Sequence, residues 1–506
     1  MNNAVLHLLS ISLAVHSVVH SKEQPGRPNI VFVMADDLGL GDVGFHRRKF
    51  ERKEVIVPTP NLDRLAEGSL WFTDGHSSTA LCSPTRYCTM SGNLNYRSYA
   101  PWGVWGTFRE SPFGEGQVTL GTVTRDAGYA TAFIGKWHLG GDFKRSDGPG
   151  IYRGEDRGKA GLPVDLTRWV SGGPQSLGFQ YDFTLPCGIQ GPVYLAYENG
   201  EWSPFSKDSS IIHLDRESAL DPGFVSDKGP GPGDSGWDTR KVSGILAGKA
   251  VSFIRGQKKD QPFFLCYWSP NVHLPHCPPD RLDGVEVAGR TPSKHLDTVI
   301  EFDVQIGMIV EALKETGALG NTLIVVTSDN GGLVDKAGQQ AGHQSNGGFR
   351  SNKNSPFEGG HRVPFFVHWP GKVAPGSSPI PVTTHDLLAT FAAVAGTDVP
   401  ADQAMDSTNL LPLFLGDPSF RRPSELLLQA GSKNELIFRD GPWKLVIQTD
   451  RNLSKFEPMA LFHLGKNPQE KEAGNLVGDP AEKERVQSML KRYLEIRRSK
   501  VPTKGS

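Results

Sequence analysis

Residues 28–39 read Pro-Asn-Ile-Val-Phe-Val-Met-Ala-Asp-Asp-Leu-Gly, a continuous apolar and β-branched run that ends in two aspartates. A strand buried on both faces has this composition, because neither face needs polar side chains. We therefore predict that residues 28–35 form a central strand of a parallel sheet. Asp36 and Asp37 would then lie in the turn that follows it.

Runs of the same kind recur along the chain and alternate with helical patterns. Strands are predicted at residues 130–134, 262–267 and 322–327, and helices at residues 59–68, 118–128, 238–255 and 295–317. This alternation predicts the α/β class, with a large, mostly parallel sheet sandwiched by helices.

The length of the chain and a change in sequence texture predict two domains. A chain of 506 residues is too long for one ordinary domain. Short strand patterns at residues 435–440, 443–448 and 460–464 are followed by a charged helical pattern at residues 480–498. We predict a large α/β domain over residues 26–416 and a small C-terminal α+β subdomain over residues 417–506.

The stretch from about residue 140 to residue 239 is rich in glycine, proline, serine and aspartate. Its segment 229–233 reads Gly-Pro-Gly-Pro-Gly, from which we expect no regular structure. A long insertion of this kind is more often a ligand-facing loop than a packing element.

The composition and the N-terminal residues indicate the cellular location of the protein and exclude some classes of binding partner. Residues 1–21 are mostly apolar and end in Val-His-Ser, so we predict a signal peptide and a secreted or periplasmic location. No other stretch is apolar and long enough to span a bilayer, so no stable membrane anchor is expected. The net charge of −1 provides no global field for nucleic acid.

Polar side chains follow two of the predicted strands. Asp36 and Asp37 follow the first strand, and Asp329 and Asn330 follow the strand that ends near residue 327. Ligands of open parallel sheets bind beyond the carboxyl ends of the strands. An oxygen-rich ligand set favours Ca²⁺ or Mg²⁺ over zinc, although each pair alone is also an ordinary turn sequence.

The five cysteines form an odd number, which in an exported protein indicates a leftover or modified thiol. Residues 80–86 read Ala-Leu-Cys-Ser-Pro-Thr-Arg, and Ser91-Gly92 follow. The pattern C-x-P-x-R with a following glycine resembles the signature of the sulfatase family, in which the cysteine is oxidised to formylglycine. Thr85 stands where the commonest form of that signature has serine.

Other landmarks of the sulfatase family occur in the family's order, from about residue 28 to residue 476. They are Asp36-Asp37, Gly135-Lys136-Trp137-His138-Leu139-Gly140, Val272-His273-Leu274-Pro275-His276, Ser328-Asp329-Asn330-Gly331, Lys353 upstream of Glu358-Gly359-Gly360-His361-Arg362, Trp443-Lys444-Leu445, and Leu461–Leu464 with Asn475-Leu476. The resemblance implies an alkaline-phosphatase-like fold for the large domain.

The resemblance also implies a ligand set for the metal ion and a nucleophile. The metal ligands would be Asp36, Asp37, Asp329, Asn330 and residue 82, with Ca²⁺ as the expected ion and Mg²⁺ as the alternative. Cys82 would be converted to formylglycine by a formylglycine-generating or sulfatase-maturing enzyme. The hydrate of that aldehyde offers one hydroxyl for attack on sulfur and a second for the release of sulfate.

Five further residues receive roles from the same resemblance. Arg86, one helical turn beyond Cys82, would stabilise the hydrate and the bound anion. Lys136 would contact a sulfate oxygen, and His138 would take a proton as sulfate leaves. His273 and Lys353 would lie on the leaving-group side, and which of them protonates the leaving group stays open. The role of His276 stays open: it would either support the other site residues or contact the substrate.

The implied reaction is the hydrolysis of a sulfate monoester, of a sulfated carbohydrate or of an aryl sulfate. A phosphatase, phosphodiesterase or phosphonate hydrolase of the same superfamily is the alternative enzyme. The alkaline-phosphatase type uses serine or threonine and extra ligands for a second metal ion, whereas this chain offers Cys82 with Lys136 and Lys353. A non-catalytic glycan-binding protein would require Cys82 to remain a thiol.

Overall fold

The computed structural model describes residues 26–155, 159–220, 229–431 and 434–498. The predicted signal peptide, residues 1–21, lies outside the described residues. Within the described ranges, no helix combines the length and the apolar character that a membrane crossing requires.

The strands of the large domain begin with β1 and end with β18. They are β1 (Asn29–Ala35), β2 (Leu70–Phe72), β3 (Gly75–His76), β4 (Ala130–Lys136), β5 (Asp142–Arg145), β6 (Val164–Ser171), β7 (Tyr181–Leu185), β8 (Tyr197–Glu198), β9 (Glu201–Trp202), β10 (Ile211–Leu214), β11 (Gly231–Asp234), β12 (Phe263–Trp268), β13 (Arg281–Leu282), β14 (Val285–Glu286), β15 (Thr322–Ser328), β16 (Phe366–His368), β17 (Gly376–Ser378) and β18 (Val382–Thr383). The C-terminal strands are β19 (Glu425–Gln429), β20 (Glu435–Asp440), β21 (Trp443–Thr449) and β22 (Phe456–His463).

The helices cover both faces of the main sheet and cap the small one. They are α1 (Gly44–His46), α2 (Pro60–Glu67), α3 (Cys82–Ser91), α4 (Leu120–Asp126), α5 (Thr239–Arg255), α6 (Lys294–Glu315), α7 (Lys336–Gln340), α8 (Glu358–His361), α9 (Leu387–Ala395), α10 (Leu411–Phe414) and α11 (Lys483–Arg497). A π-helical turn, Arg47–Glu51, continues α1.

A 12-stranded mixed sheet forms the centre of the molecule. Its middle strands run parallel in the order β15-β1-β12-β4-β7, and antiparallel pairs extend the sheet on both sides. Alternate residues of β1 enter two different cores, with Phe32 on the side of α9 and Val33 on the side of α5 and α6. The predicted α/β class, with helices on both faces, is therefore confirmed.

The expectation of a loop over residues 140–239 was wrong. Strands β5 to β9 lie in this stretch and extend the main sheet, and its aromatic residues Trp169 and Tyr197 are buried. The glycine- and proline-rich Gly231–Asp234 is also a strand, paired antiparallel with Ile211–Leu214. Proline is tolerated there because a two-stranded ribbon needs only part of the N–H groups, and the carbonyl of Pro232 still accepts a hydrogen bond of 2.9 Å from Tyr194.

The C-terminal residues form a 4-stranded antiparallel sheet of β19 to β22. Helix α11 packs against it, with Tyr493 against Phe438 at 6.2 Å between ring centroids. The small antiparallel sheet with a helix is thus confirmed, although β19 was not predicted. The exact boundary between residues 416 and 417 stays a prediction.

Candidate active site

Helix α3 begins at Cys82, which places the cysteine at the first helical position and Arg86 one turn later. The Sγ atom of Cys82 lies 3.5 Å from Nδ1 of His138. Thr85 closes the preceding turn, because its hydroxyl accepts a hydrogen bond of 3.1 Å from the backbone N–H of Thr79 and donates one of 3.0 Å to its carbonyl. Threonine in place of the family's common serine therefore keeps the hydroxyl that this turn uses.

Arg86 is completely buried and connects α3 to Asp329, which follows β15. Its Nη2 donates to Oδ2 of Asp329 at 2.6 Å, and its Nη1 donates to the carbonyl of Lys136 at 2.8 Å. The guanidinium also lies over the ring of Trp268, 5.3 Å from the centroid. These contacts hold the planar group rigidly beside residue 82.

Two lysines pair with the two aspartates that follow β1. Lys136 donates hydrogen bonds to Oδ2 of Asp36 and, at 2.7 Å, to Oε1 of Gln190. Lys353 lies 2.6 Å from Oδ1 of Asp37. Burial raises the pKa of Asp36, but the nearby positive charges, led by the ammonium group of Lys136, together outweigh it and hold that pKa well below its ordinary value.

The two histidines of the site are held as neutral rings. Nε2 of His273 lies 3.7 Å from Oδ2 of Asp37, and Nδ1 lies 2.7 Å from the carbonyl of Leu274. Burial and the charge of Lys353 lower the pKa of His273 to about 4. Burial and the charge of Lys136 hold the pKa of His138 well below its ordinary value.

Among the predicted metal ligands, three buried oxygen atoms have no hydrogen-bond partner in the described part of the chain. They are Oδ1 of Asp36, Oδ2 of Asp37 and Oδ1 of Asn330. The amide nitrogen of Asn330 donates to Asp37 at 2.7 Å, which leaves its oxygen unpaired. Unpaired buried oxygens are costly, and a hard cation is the partner that a set of carboxylate and amide oxygens accommodates best.

The carboxylates of the site also lie close together. Ligand atoms of Asp36, Cys82 and Asp329 all lie within 4.8 Å of one another. Burial and the negative charge of Asp36 raise the pKa of Asp329. The carboxylates are therefore crowded enough to favour a bound proton or a metal ion, and the residues present fit the divalent ion that the sequence implied.

Backbone conformation around the site is unusual at the functional positions. Asp37 and His138 adopt positive φ angles of 67° and 59°, a conformation that costs free energy for residues other than glycine. Gly135 has φ +127°, and an added Cβ there would lie 1.9 Å from the carbonyl oxygen of Trp268. Only glycine fits at that position of the segment that carries Lys136.

The structure thus brings together every residue that the sequence predicted for the site. His276 is nearby but packs differently, because its ring stacks on that of His295 at 4.6 Å between centroids. Gln190, which orients Lys136, was not predicted, since a single glutamine in a glycine-rich stretch carries no pattern.

A second buried cluster joins the large domain to the C-terminal sheet. Nζ of Lys444 lies 2.9 Å from Glu358, 2.7 Å from Glu470 and 3.1 Å from Nε2 of His361. Nδ1 of His361 lies 2.9 Å from Nδ1 of His76. His76, Glu358 and His361 have metal-ligand spacing, but the ammonium group of Lys444 already supplies the positive charge there.

Residues of this second cluster lie in two of the sequence motifs, but the motifs did not predict that they are in contact. Lys444 lies in the Trp443-Lys444-Leu445 landmark, and Glu358 begins the Glu-Gly-Gly-His-Arg landmark. The two landmarks meet in one buried ion cluster, so their spacing reflects the docking of the C-terminal sheet.

The active-site cluster of carboxylates, lysines and Cys82 lies at the carboxyl edge of the parallel strands. This sheet and this site define a hydrolase of alkaline-phosphatase-like architecture. Residues 28–397 match the profile of the Sulfatase family, and the chain belongs to that family. Sulfatases are sulfuric ester hydrolases, which confirms the predicted enzyme class, and they generally use formylglycine and a divalent metal ion.

Several relatives named as sulfatases align with most of this chain. An N-acetylgalactosamine-6-O-sulfatase of Bacteroides thetaiotaomicron is 28% identical over 491 residues, which covers 91% of this chain and 89% of the relative. Human N-acetylgalactosamine-6-sulfatase is 31% identical over 415 residues, 79% of this chain and 68% of the relative. A sulfatase solved in a study of glycosaminoglycan metabolism by Bacteroides thetaiotaomicron superposes with a TM-score of 0.77 at 26% identity, covering 93% of this chain and 99% of that one.

Proposed function

We propose that this protein hydrolyses sulfate monoesters of a sulfated carbohydrate, using a formylglycine made from Cys82 and a bound Ca²⁺. The observation that carries the proposal is the set of unpaired buried oxygens of Asp36, Asp37 and Asn330. Asp36 lies in one cluster with Cys82 and Asp329 and in a second with Asp37, so one cation would contact both the protein ligands and the reacting ester.

The metal ion would be held by Asp36, Asp37, Asp329, Asn330 and residue 82. All the protein donors besides residue 82 are oxygen atoms, which favours Ca²⁺, with Mg²⁺ as the alternative, over zinc. When bound, the ion would neutralise the sulfate oxygens and lower the pKa of a hydroxyl group in its coordination sphere. Arg86 adds a fixed positive charge against Asp329 and so keeps that ligand oriented.

A formylglycine hydrate at residue 82 would supply two hydroxyl groups, one as the nucleophile and one for the release of sulfate. The Nδ1 atom of His138 lies next to the side chain of residue 82. It is therefore placed to accept the proton of the second hydroxyl as sulfate leaves. Lys136, bonded to Asp36 and Gln190, would contact a sulfate oxygen.

His273 and Lys353 both contact Asp37 and would serve the leaving group. The ammonium group of Lys353 stabilises negative charge on the departing oxygen. His273 has its Nδ1 engaged by the carbonyl of Leu274, so its Nε2 is the atom that faces the site. Each residue can assist departure of the leaving group. Their contributions can be separated by comparing substrates whose leaving groups differ in acidity.

The names of the relatives support a carbohydrate substrate. Two of them are sulfatases of N-acetylgalactosamine 6-sulfate, and a third was solved in work on glycosaminoglycans. The first substrate to test is therefore 6-sulfated N-acetylgalactosamine. Export through residues 1–21 and activation by a formylglycine-generating or sulfatase-maturing enzyme belong to the same proposal.

The decisive experiment is the mass of the tryptic peptide 65–86 from protein produced together with a sulfatase-maturing enzyme. A mass that fits formylglycine at residue 82, with release of sulfate from a sugar sulfate, supports the proposal. An unmodified cysteine, under conditions that modify a control protein with the C-x-P-x-R motif, would refute the assignment of the nucleophile.

A further inference from the structure

A glutamine in the loop after β7 contacts the lysine that would hold the sulfate group. β7 runs parallel to β4, with Leu185 beside Lys136 in the register, so both strands end at the same edge of the sheet. The loop that follows, residues 186–190, reaches this lysine through Gln190, whose Oε1 accepts a hydrogen bond of 2.7 Å from its Nζ. Gln190 is only 4% exposed, so the contact lies inside the site.

The backbone of this loop is fixed against the segment that carries Lys136. The N–H of His138 donates a hydrogen bond of 2.9 Å to the carbonyl of Pro186. Gly188 has φ +78°, and a Cβ added there would lie 2.7 Å from Cδ of Lys136. The loop therefore packs along the aliphatic part of the lysine and places the carboxamide of Gln190 at its ammonium group.

Lys136 determines which way the carboxamide of Gln190 faces. An ammonium group donates hydrogen bonds and accepts none, so the amide oxygen has to face it and the amide nitrogen has to take the other position. Among the described residues, none accepts a hydrogen bond from that nitrogen, and it is not one of the fully enclosed unpaired atoms. A group that enters the site can therefore reach Nε2 of Gln190.

Donors of two adjacent residues are thus left without an acceptor in the described part of the chain. Lys136 uses two of its three N–H bonds for Asp36 and Gln190. The nitrogen of Gln190 adds its own N–H bonds, and it lies close to the ammonium group because it belongs to the same planar amide as Oε1. Buried donors favour an acceptor, and negatively charged oxygen atoms form the stronger hydrogen bonds. An anionic group with several oxygen atoms can satisfy both residues.

We infer that Gln190 is a substrate-binding residue, whose amide nitrogen donates a hydrogen bond to one oxygen of the sulfate group while Lys136 contacts another. Its amide oxygen holds the ammonium group of Lys136 in place at the same time. This inference rests on the proposed function and adds a residue to the sulfate-binding side of the site. A neutral amide suits the single negative charge of a sulfate monoester, since it adds a hydrogen bond without a further positive charge.

The experiment has to distinguish this role from one in which Gln190 only positions Lys136. A residue that acts only through the lysine has no effect once the lysine is removed, whereas a residue that contacts sulfate keeps one. Combining Gln190→Leu with Lys136→Met therefore separates the two roles in a double-mutant cycle.

Binding of inorganic sulfate, measured by calorimetry on the modified protein in the presence of Ca²⁺, tests the inference without turnover. Gln190→Leu removes both polar atoms at a similar side-chain volume and is examined in the parent and in Lys136→Met. Gln190→Glu is the second variant, because it keeps an acceptor for Lys136 but has no N–H group. Gln261→Leu is the matched control, an exposed glutamine that precedes β12 at the opposite edge of the sheet.

Gln190→Leu should weaken sulfate binding about tenfold in the parent and still at least about threefold in Lys136→Met. Gln190→Glu should weaken it at least as much as Gln190→Leu, and Gln261→Leu should change it in neither background. Unchanged affinity on adding Gln190→Leu to Lys136→Met, or parental affinity of Gln190→Glu, would overturn the inference, as would a parent that binds no sulfate. A parent that binds sulfate but releases none from an ester would count against the proposed function alone.

Discussion

Lys353 and Asp37 form a buried ion pair, in which Nζ of the lysine lies 2.6 Å from Oδ1 of the aspartate. Lys136 pairs with the preceding aspartate, Asp36, in the same way. Each aspartate therefore has one oxygen neutralised by a lysine, and its other oxygen is unpaired among the described residues. The two lysines fix the orientation of the unpaired oxygens, and we expect them to act on different sides of the sulfate ester.

Replacing each lysine by methionine should show which of them acts on the leaving group and which on the sulfate oxygens. Lys353→Met should lower kcat/KM about 10²- to 10³-fold for a sugar sulfate but only about tenfold for 4-nitrophenyl sulfate. An acidic phenol needs little help to depart, whereas a sugar alkoxide needs much. Lys136→Met should lower both values by a similar factor. The ratio between substrates is independent of the fraction of active enzyme, and an equal loss for both substrates in Lys353→Met would contradict its assignment to the leaving group.

Cys82→Ala should abolish sulfate release and leave the fold nearly unchanged. Alanine is a good helix residue at the start of α3, and the one side-chain hydrogen bond lost within the described part of the chain is the 3.5 Å contact with His138. Turnover and the melting temperature are measured together. The control is Cys88→Ala, which removes another buried thiol of the same helix. It should cost about 1 kcal/mol of stability and keep both activity and the modification of residue 82; loss of activity in both variants would leave Cys82 without a special role.

The order of the motifs allowed the site to be predicted because the carboxyl ends of parallel strands meet at one edge. Asp36 follows β1 and Asp329 follows β15, and these strands pair residue by residue from Asn29 with Thr322 to Ala35 with Ser328. The sequence places each aspartate at the end of its strand, and the pairing of β1 with β15, which the structure shows, brings the two aspartates together.

Contacts between distant segments could not be predicted in this way. The pairing of Gly231–Asp234 with Ile211–Leu214 depends on a partner strand rather than on local propensity, so the glycine-proline pattern predicted a loop. Lys444 and Glu358 each lie in a visible motif, but no periodicity relates residues 86 positions apart.

Removal of the metal ion should destabilise the protein. A chelator should lower the melting temperature, and Ca²⁺ at a hundred times its Kd should restore about 2.7 kcal/mol. Asn330→Ala removes one of the unpaired oxygens and should weaken Ca²⁺ binding at least about tenfold in calorimetry. Asn321→Ala, beside the opposite end of β15, should bind Ca²⁺ like the parent. Unchanged affinity in Asn330→Ala would remove that residue from the ligand set.

Lys444→Met should be strongly destabilising, because it leaves Glu470 buried without a countercharge and leaves Glu358 with only Arg362 as its cationic partner among the described residues. The expected loss is about 3 to 5 kcal/mol in the free energy of unfolding, measured by denaturant titration. Lys455→Met, an exposed lysine of the same subdomain, should change it by less than about 0.5 kcal/mol. Adding Glu470→Gln to Lys444→Met should recover part of the loss. A loss as small as that of Lys455→Met would mean that the cluster does not hold the C-terminal sheet.

Glu301→Gln should make stability less dependent on pH. Glu301 is buried in α6, where Oε2 accepts a hydrogen bond of 2.8 Å from the side chain of Asn271, the residue whose carbonyl binds the N–H of Asp36. Burial raises the pKa of Glu301 from 4.5 to about 8. Because the folded-state pKa is the higher one, the stability linked to its protonation is complete below about pH 4.5 and is lost as the pH rises through 8.

Glutamine keeps the shape and the acceptor oxygen but cannot ionise. The melting temperature of Glu301→Gln should therefore match that of the parent near pH 5 and exceed it by several degrees at pH 9, where the parent carries a buried charge that costs up to several kcal/mol. Glu315→Gln, exposed near the end of the same helix, should show no such trend. If the difference between Glu301→Gln and the parent stayed constant from pH 5 to pH 9, Glu301 would not be protonated in the folded protein, and the anchoring of Asn271 would require another explanation.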